Sequence, residues 1–143
     1  MSDHSLISPS MLSRMFQCPG SVLASVGYPD TSSPAAAHGT MLHGIAEEVL
    51  RIGFTDASTL EASDWEMVQD YCAYVKQHVG PDAHLYVEHS VSLNQYVTDM
   101  RGSVDALIVG EEAIHIIDLK TGNFPVSASG NPQMLAYSLG ASD

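Results

Sequence analysis

The fold is decided by residues 102–120, which read GSVDALIVGEEAIHIIDLK. Residues 102–109 and 113–119 are apolar runs rich in valine, isoleucine and leucine, a composition typical of β-strands. The Gly-Glu-Glu segment between them, residues 110–112, is compact enough to reverse the chain. We therefore predict that the two strands pair as a hairpin.

Two acidic residues of this hairpin indicate a cation site. Counted outward from the turn, Asp105 and Asp118 are nearly equidistant, so their carboxylates are expected to lie near each other across the ladder. Two such carboxylates repel unless a cation joins them, and hard oxygen ligands suit Mg²⁺ or Mn²⁺. We predict a divalent metal site that includes Asp105 and Asp118.

Lys120 stands beside this site. Because strand side chains alternate, Asp118 and Lys120 project to one side, whereas Leu119 points into the core. An ammonium group in this position can orient or activate a water molecule. An ordinary ion pair between Asp118 and Lys120 at the end of a strand is the alternative interpretation of the same spacing.

The segments before the hairpin are predicted to be mainly helical. A helix over residues 5–26 is broken at residues 18–20 (Cys-Pro-Gly), and a loop rich in small residues covers residues 28–39. Thr40 then caps an amphipathic helix that ends at Ile52, just before a glycine.

The rest of the chain completes an α+β fold. Ser63 is predicted to cap a second helix that ends near His78, and residues 85–93 form the first of three strands. Asn131 and Pro132 begin a short last helix. We predict a single domain over residues 1–143, with N-terminal helices, a three-stranded mixed or antiparallel sheet and a final helix.

Two further groups are candidates for the site. His43 lies on the flank of the amphipathic helix, where the alternative is a half-exposed histidine without a function. Gln133 and Tyr137 share one face of the last helix through their i, i+4 spacing, and they either hydrogen-bond to a phosphate or the lysine, or only pack against the sheet.

The charge balance opposes simple binding to nucleic acid. The chain has 5 Lys and Arg residues against 17 Asp and Glu residues, a formal net charge of −12. Phosphate backbones are normally held by clusters of basic residues, so contact with DNA must be local, assisted by a metal or shared with a partner.

Two isolated cysteines and the lack of a long apolar run favour a cytoplasmic protein that does not enter the membrane.

Taken together, these segments resemble the RecB-like branch of the PD-(D/E)XK nuclease superfamily, and its phage-associated members in particular. The matching motifs are Gly-Thr-Met-Leu-His at residues 39–43, Gly-Ser-Val-Asp at residues 102–105, Asp-Leu-Lys at residues 118–120 and Gln-Met-Leu-Ala-Tyr at residues 133–137. The segment Cys-Pro-Gly-Ser at residues 18–21 is also similar to the start of such proteins.

The resemblance implies a restriction-endonuclease-like core and a role for each matching residue. His43, Asp105, Asp118 and the backbone carbonyl of Leu119 would bind Mg²⁺ or Mn²⁺, with Glu88 as a weaker candidate for a second metal or for an outer contact. Lys120 would orient or deprotonate the attacking water. Gln133 and Tyr137 would steady the lysine and the DNA strand.

The sequence departs from the family pattern in two places. No cysteine follows Cys72, so we expect no iron–sulfur cluster of the kind that some RecB-like nucleases carry. The core strand that usually follows the Gln/Tyr helix is not expected within these 143 residues.

Three functions remain open at this point. The first is a DNA nuclease, an exonuclease rather than an endonuclease, that acts in phage or bacterial recombination or replication, as a homo-oligomer or within a larger complex. The second is a catalytically silent module with the nuclease fold, whose acidic surface binds a protein partner or mimics DNA. The third is a metal-dependent phosphoesterase for small nucleotides.

Overall fold

The computed structural model describes residues 7–29 and 32–142. Within these ranges the chain forms five α-helices and three β-strands, which confirms the predicted α+β class. A short 3-10 turn, Pro9–Met11, precedes the first helix. The elements are α1 (Leu12–Gln17), α2 (Ser21–Ser25), α3 (Pro34–Ile52), α4 (Ala62–Gln77), β1 (His84–Ser92), β2 (Arg101–Val109), β3 (Ile114–Ile117) and α5 (Pro132–Ala141).

The three strands form an antiparallel sheet in the order β1-β2-β3. The predicted hairpin between β2 and β3 is confirmed, with Ala106 opposite Ile117, and the Gly110 amide donates to the Ala113 carbonyl at 3.0 Å in its turn. Asp105 directly precedes Ala106, and Asp118 directly follows Ile117. The predicted approach of the two carboxylates across the ladder stays a prediction.

The third strand is shorter than predicted. It ends at Ile117, whereas the apolar pattern continues to Leu119. The reason is that the Leu119 amide donates to a side-chain oxygen of Asp105 at 2.7 Å rather than to a strand carbonyl. Asp118 therefore follows the strand and does not belong to it.

Helix α3 begins before the predicted residue. Ser33 is its N-cap, with the hydroxyl accepting from the Ala36 amide at 3.1 Å, and Pro34 occupies the first turn. Thr40 is not the cap, and its hydroxyl donates to the Ala36 carbonyl inside the helix at 3.0 Å. A serine cap, a proline and three alanines outweigh the small-residue composition that predicted a loop. The end at Gly53, which has a φ of 85°, is as predicted.

The other helix boundaries agree in part with the predictions. The break at residues 18–20 separates α1 from α2, and Asn131 caps α5 by accepting from two backbone amides. Glu61, and not Ser63, is the N-cap of α4, because the Glu61 carbonyl already accepts the first helical hydrogen bonds. Residues 5 and 6 of the predicted first helix and residues 30 and 31 of the predicted loop lie outside the described residues.

The described residues group into two compact units. Of the described residues, 7–29, 90–104 and 126–142 belong to the first unit, and 32–89 and 105–125 belong to the second. The single domain predicted for residues 1–143 stays a prediction.

Each unit has its own apolar cluster. The smaller cluster, in the first unit, contains Leu93, Met100 and Ala136. The larger cluster lies in the second unit, where the buried faces of α3 and α4 meet β2 and Leu119, two residues after β3. Its fully or nearly fully buried members are Leu42, Ala46, Val49, Val68, Tyr71, Cys72, Val75, Ala106, Ile108 and Leu119.

Gly102 is the most tightly enclosed of the described glycines in the first unit, and a side chain there should destabilise the protein. A Cβ atom at Gly102 would lie 2.9 Å from Cδ of Pro9 and 3.0 Å from Cε1 of Tyr137, and both neighbours are rigid rings. We expect Gly102→Ala to lower the free energy of unfolding by about 1–3 kcal/mol in a urea titration. The matched control is Gly44→Ala, since no heavy atom lies within 4 Å of that Cβ and the helix should gain up to about 1 kcal/mol. Equal stability of Gly102→Ala and the unaltered protein would contradict this packing.

Candidate metal centre

Three side chains of the second unit converge on one point. His43, Glu88 and Asp105 each place one potential ligand atom so that all three atoms lie within 4.8 Å of one another. All three residues are partly buried, unlike the freely solvated acidic groups that are common on protein surfaces. We call this group the His43–Glu88–Asp105 cluster.

Helix α3 positions His43. Leu42 and Ala46 are buried in the larger apolar cluster, which holds this face of the helix against the sheet. His43 follows on the flank of that face, with 31% of its side chain exposed, and its Nδ1 lies 3.3 Å from Oδ1 of Asp105. The hydrogen bond to Asp105 raises the pKa of His43 above its ordinary value, against the opposing effect of burial.

Asp105 is the central member of the cluster. Its Oδ1 faces His43, and its Oδ2 accepts the Leu119 amide at 2.7 Å. The carboxylate is therefore held in one orientation by two elements, α3 and the segment after β3. A carboxylate oriented in this way needs little rearrangement to bind a cation.

Glu88 reaches the cluster through an unusual backbone conformation. Its φ is 50°, in the left-handed region that residues other than glycine rarely adopt. Residues in such conformations persist only where the surroundings enforce them, and they concentrate at functional sites. Arg51 supports this part of β1, since its Nη2 donates to the Val87 carbonyl at 2.7 Å. Val87 and Glu88 line the same pocket. In a regular strand, neighbouring side chains would point to opposite faces of the sheet.

Asp118 and Lys120 form an ion pair next to Leu119. The Nζ atom of Lys120 lies 2.6 Å from Oδ2 of Asp118, and the side chains are 40% and 8% exposed respectively. Burial raises the pKa of Asp118, although the hydrogen bond from Lys120 opposes this effect. Asp118 lies outside the three-residue cluster, so its predicted role as a metal ligand stays a prediction.

Leu119 lies between Asp118 and Lys120 in the sequence, and its own side chain is buried in the core as predicted. Its neighbours therefore sit at a fixed point of the fold and not on a free loop. The proposed contact of its backbone carbonyl with a metal stays a prediction.

An open groove leads to the cluster from the first half of α3. The groove has a volume of about 490 Å³, and its wall on the helix consists of small residues. Gly39 is essential to this shape, because a Cβ there would lie 2.8 Å from Oγ1 of Thr121. The lining residues are Ala35, Ala36, Gly39, Thr40, His43, Glu88, Asp105 and Thr121. A bulky ligand can thus approach the carboxylates along a wall without long side chains.

Gln133 and Tyr137 belong to the first unit. They contact each other as their spacing predicts, with Nε2 of Gln133 donating to Oη of Tyr137 at 3.3 Å, and both residues are buried. The Tyr137 ring also lies against Gly102, which agrees with a packing role. Their predicted contacts with Lys120 and DNA stay predictions.

Sequence reasoning missed Tyr71 of α4. Its side chain lines the same small pocket as His43, Glu88 and Asp105, and its hydroxyl oxygen is buried. In the sequence, Tyr71 belongs to an ordinary helical stripe of apolar residues, so no signal distinguishes it from a core residue.

The protonation of His43 should make the stability of the metal-free protein depend on pH. Because Asp105 raises the pKa of His43 above 6.5, the folded state holds this proton more tightly than the unfolded state does. The stabilisation is fully present below pH 6.5 and is lost as the pH rises through the raised pKa. We measure the melting temperature in EDTA at about pH 6 and at about pH 8. The fall between these two values should be larger in the unaltered protein than in His43→Gln, by on the order of 2 °C.

The control for this pH effect is His84→Gln, which removes an exposed histidine from the start of β1. This variant should keep the pH dependence of the unaltered protein. The same dependence in His43→Gln would show that the effect arises elsewhere.

The described residues thus define an α+β protein with a histidine–carboxylate cluster beside the ion pair of Asp118 and Lys120. The chain belongs to the family described as protein of unknown function (DUF2800), whose family model matches residues 4–143. No solved structure matches the chain. Within residues 7–29 and 32–142, no helix is both long and apolar enough to cross a membrane.

Proposed function

We propose that the chain is a divalent-metal-dependent DNA nuclease of the RecB-like type, with a restriction-endonuclease-like core. The observation that carries the proposal is the convergence of His43, Glu88 and Asp105 within 4.8 Å, next to the ion pair of Asp118 and Lys120. The motif order of the sequence supports the same assignment.

The donor set fits a small divalent cation. Two ligands about 2.1 Å from an octahedral ion lie about 3.0 Å apart when adjacent and about 4.2 Å apart when opposite. The distance of 3.3 Å between His43 Nδ1 and Asp105 Oδ1 is close to that between adjacent ligands. All three ligand atoms lie within 4.8 Å of one another, which is little more than the distance between opposite ligands. The two carboxylates are the hard oxygen ligands that Mn²⁺ and Mg²⁺ prefer.

A bound cation would polarise a phosphoryl oxygen and make a nearby water more acidic. The protein's own groups account for the rest of the proposed reaction. Lys120 would orient the attacking water and offset the negative charge that develops on the phosphate, and Asp118 would hold the lysine in place. Water would add to phosphorus while one P–O bond of the phosphodiester breaks, and the leaving oxygen would take up a proton.

The groove along α3 supports the approach of a polymer. Its small residues leave space beside the cluster, where a sugar-phosphate backbone would otherwise meet long side chains. The net charge of −12 implies that attraction to the phosphate is local. A bound cation and the ammonium group of Lys120 would each supply part of this attraction.

The test uses the full chain and four DNA forms, linear and circular, each single- and double-stranded. We expect linear DNA to be degraded in Mg²⁺ or Mn²⁺ but not in EDTA, with circular DNA resistant if the enzyme is an exonuclease. A preparation of Asp118→Ala, purified in parallel, controls for contaminating nucleases. Absence of cleavage above this control in either metal, with protein in excess of DNA, would contradict the proposal.

The net charge favours one second candidate, a catalytically silent module that binds a basic protein surface. This function predicts no cleavage, together with binding to a basic partner that weakens as salt is added. Cleavage by the unaltered chain excludes it.

A further inference from the structure

The hydroxyl group of Tyr71 is an unsatisfied polar group in the second unit. The residue is 9% exposed, and its oxygen is buried without a hydrogen-bond partner among the described residues. Burying a hydroxyl group without a partner is unfavourable, so most buried hydroxyl groups have one. A tyrosine that serves only to fill space could be a phenylalanine.

The surroundings of this hydroxyl contain acceptors. Tyr71 lines the same small pocket as His43, Glu88 and Asp105. The pocket has room of about 10 Å³ for the centre of a water molecule, which corresponds to roughly one water molecule. A water molecule in this pocket would therefore lie between Tyr71 and the cluster.

We infer that Tyr71 is a positioning residue of the metal centre, whose hydroxyl donates to a water molecule in this pocket and thereby holds it beside the cation and the carboxylates. The inference rests on the proposed function for the cation itself. It goes further in two respects. It assigns a water molecule as the hydrogen-bond partner of the Tyr71 hydroxyl, and it gives a role to helix α4, which contributes none of the three cluster residues.

The hydroxyl of Tyr71 carries one proton that it can donate to a water molecule, and the oxygen of that water can accept it. Outer partners of this kind orient the ligands of a metal, and their removal typically weakens metal binding 10- to 100-fold.

The experiment compares Tyr71→Phe with Tyr74→Phe in a Mn²⁺ titration followed by electron paramagnetic resonance. Both variants remove one phenolic hydroxyl from α4, but Tyr74 is 52% exposed. We expect Tyr71→Phe to raise the Kd for Mn²⁺ about 10-fold and to change the relaxation enhancement of water protons by the bound ion. Tyr74→Phe should leave both quantities unchanged.

Four outcomes are distinguishable. If the unaltered protein binds no Mn²⁺, the proposed function fails and the inference with it. If it binds Mn²⁺ and Tyr71→Phe binds equally well with the same relaxation enhancement, the inference alone is overturned. Equal weakening by Tyr74→Phe would also overturn it, because the effect would not be specific. Weaker Mn²⁺ binding by Tyr71→Phe alone, with an unchanged melting temperature in EDTA, supports it.

A second measurement does not depend on the affinity of the variant. Protein labelled with 3-fluorotyrosine contains six tyrosine signals, and the Tyr71 signal is the one that Tyr71→Phe lacks. We expect Mg²⁺ to shift this signal and Mn²⁺ to broaden it more than the signal of Tyr74. A Tyr71 signal that responds to neither ion, in protein that binds them, would overturn the inference.

Discussion

Replacing Lys120 with alanine is expected to lower kcat/KM for metal-dependent DNA cleavage by about 100- to 10,000-fold. Lys120 contributes the only cation among the side chains that we assign to the reaction. Its ammonium group is held by Asp118 at 2.6 Å, yet 40% of the side chain is exposed and accessible to a substrate. Without it, the attacking water loses its orienting group, and the charge on the phosphate is not offset.

The control for this prediction is the other lysine of the chain, Lys76, which lies in the last turn of α4. Lys76→Ala removes the same charge and should change kcat/KM by less than about two-fold if charge acts locally. Metal binding by Lys120→Ala should be nearly unchanged, because the lysine is not a ligand. A variant without Lys120 that cleaves DNA as fast as the unaltered protein would contradict its assigned role.

Replacing Asp105 with asparagine is expected to weaken Mn²⁺ binding by about 100-fold or more. The change removes the negative charge of the central residue of the cluster, the one that contacts both His43 and the Leu119 amide. Asparagine keeps an oxygen that can accept the Leu119 amide, so the fold should be retained. Isothermal titration with Mn²⁺ measures the loss, and cleavage should fall in parallel.

Asp70→Asn is the matched control, because it removes the same charge from an exposed position of α4. It should leave the Kd for Mn²⁺ unchanged. If both variants weaken binding to the same small extent, the metal is attracted by the general acidity of the chain and not by the cluster. Such a result would also favour the silent, acidic module over the nuclease.

The sequence was sufficient to predict the positions of residues whose spacing is set by regular secondary structure. The pairing of β2 with β3 follows from counting residues on either side of a short turn, and the structure has a paired register that extends to Ala106 opposite Ile117. The placement of His43 follows from the helical period, which buries Leu42 and leaves its neighbour on the flank. Both results depend only on local geometry.

The sequence was insufficient where tertiary contacts override local preference. The positive φ of Glu88 cannot be read from a strand-like run of residues, and without it Glu88 would not stand out from other acidic residues of the chain. Tyr71 is hidden for a related reason, since only the packed structure shows that its hydroxyl lacks a partner. The early start of α3 is encoded by Ser33 and Pro34, whose preferences for the cap and the first turn of a helix outweigh the loop-like composition around them.

The most direct test of the metal centre is a crystal structure of the protein grown with Mn²⁺, with anomalous data that locate the ion. We expect the strongest anomalous peak to lie about 2.1 Å from one ligand atom each of His43, Glu88 and Asp105. A peak that touches none of these residues, or no peak when titration shows Mn²⁺ bound, would contradict the assignment of the cluster as a metal site.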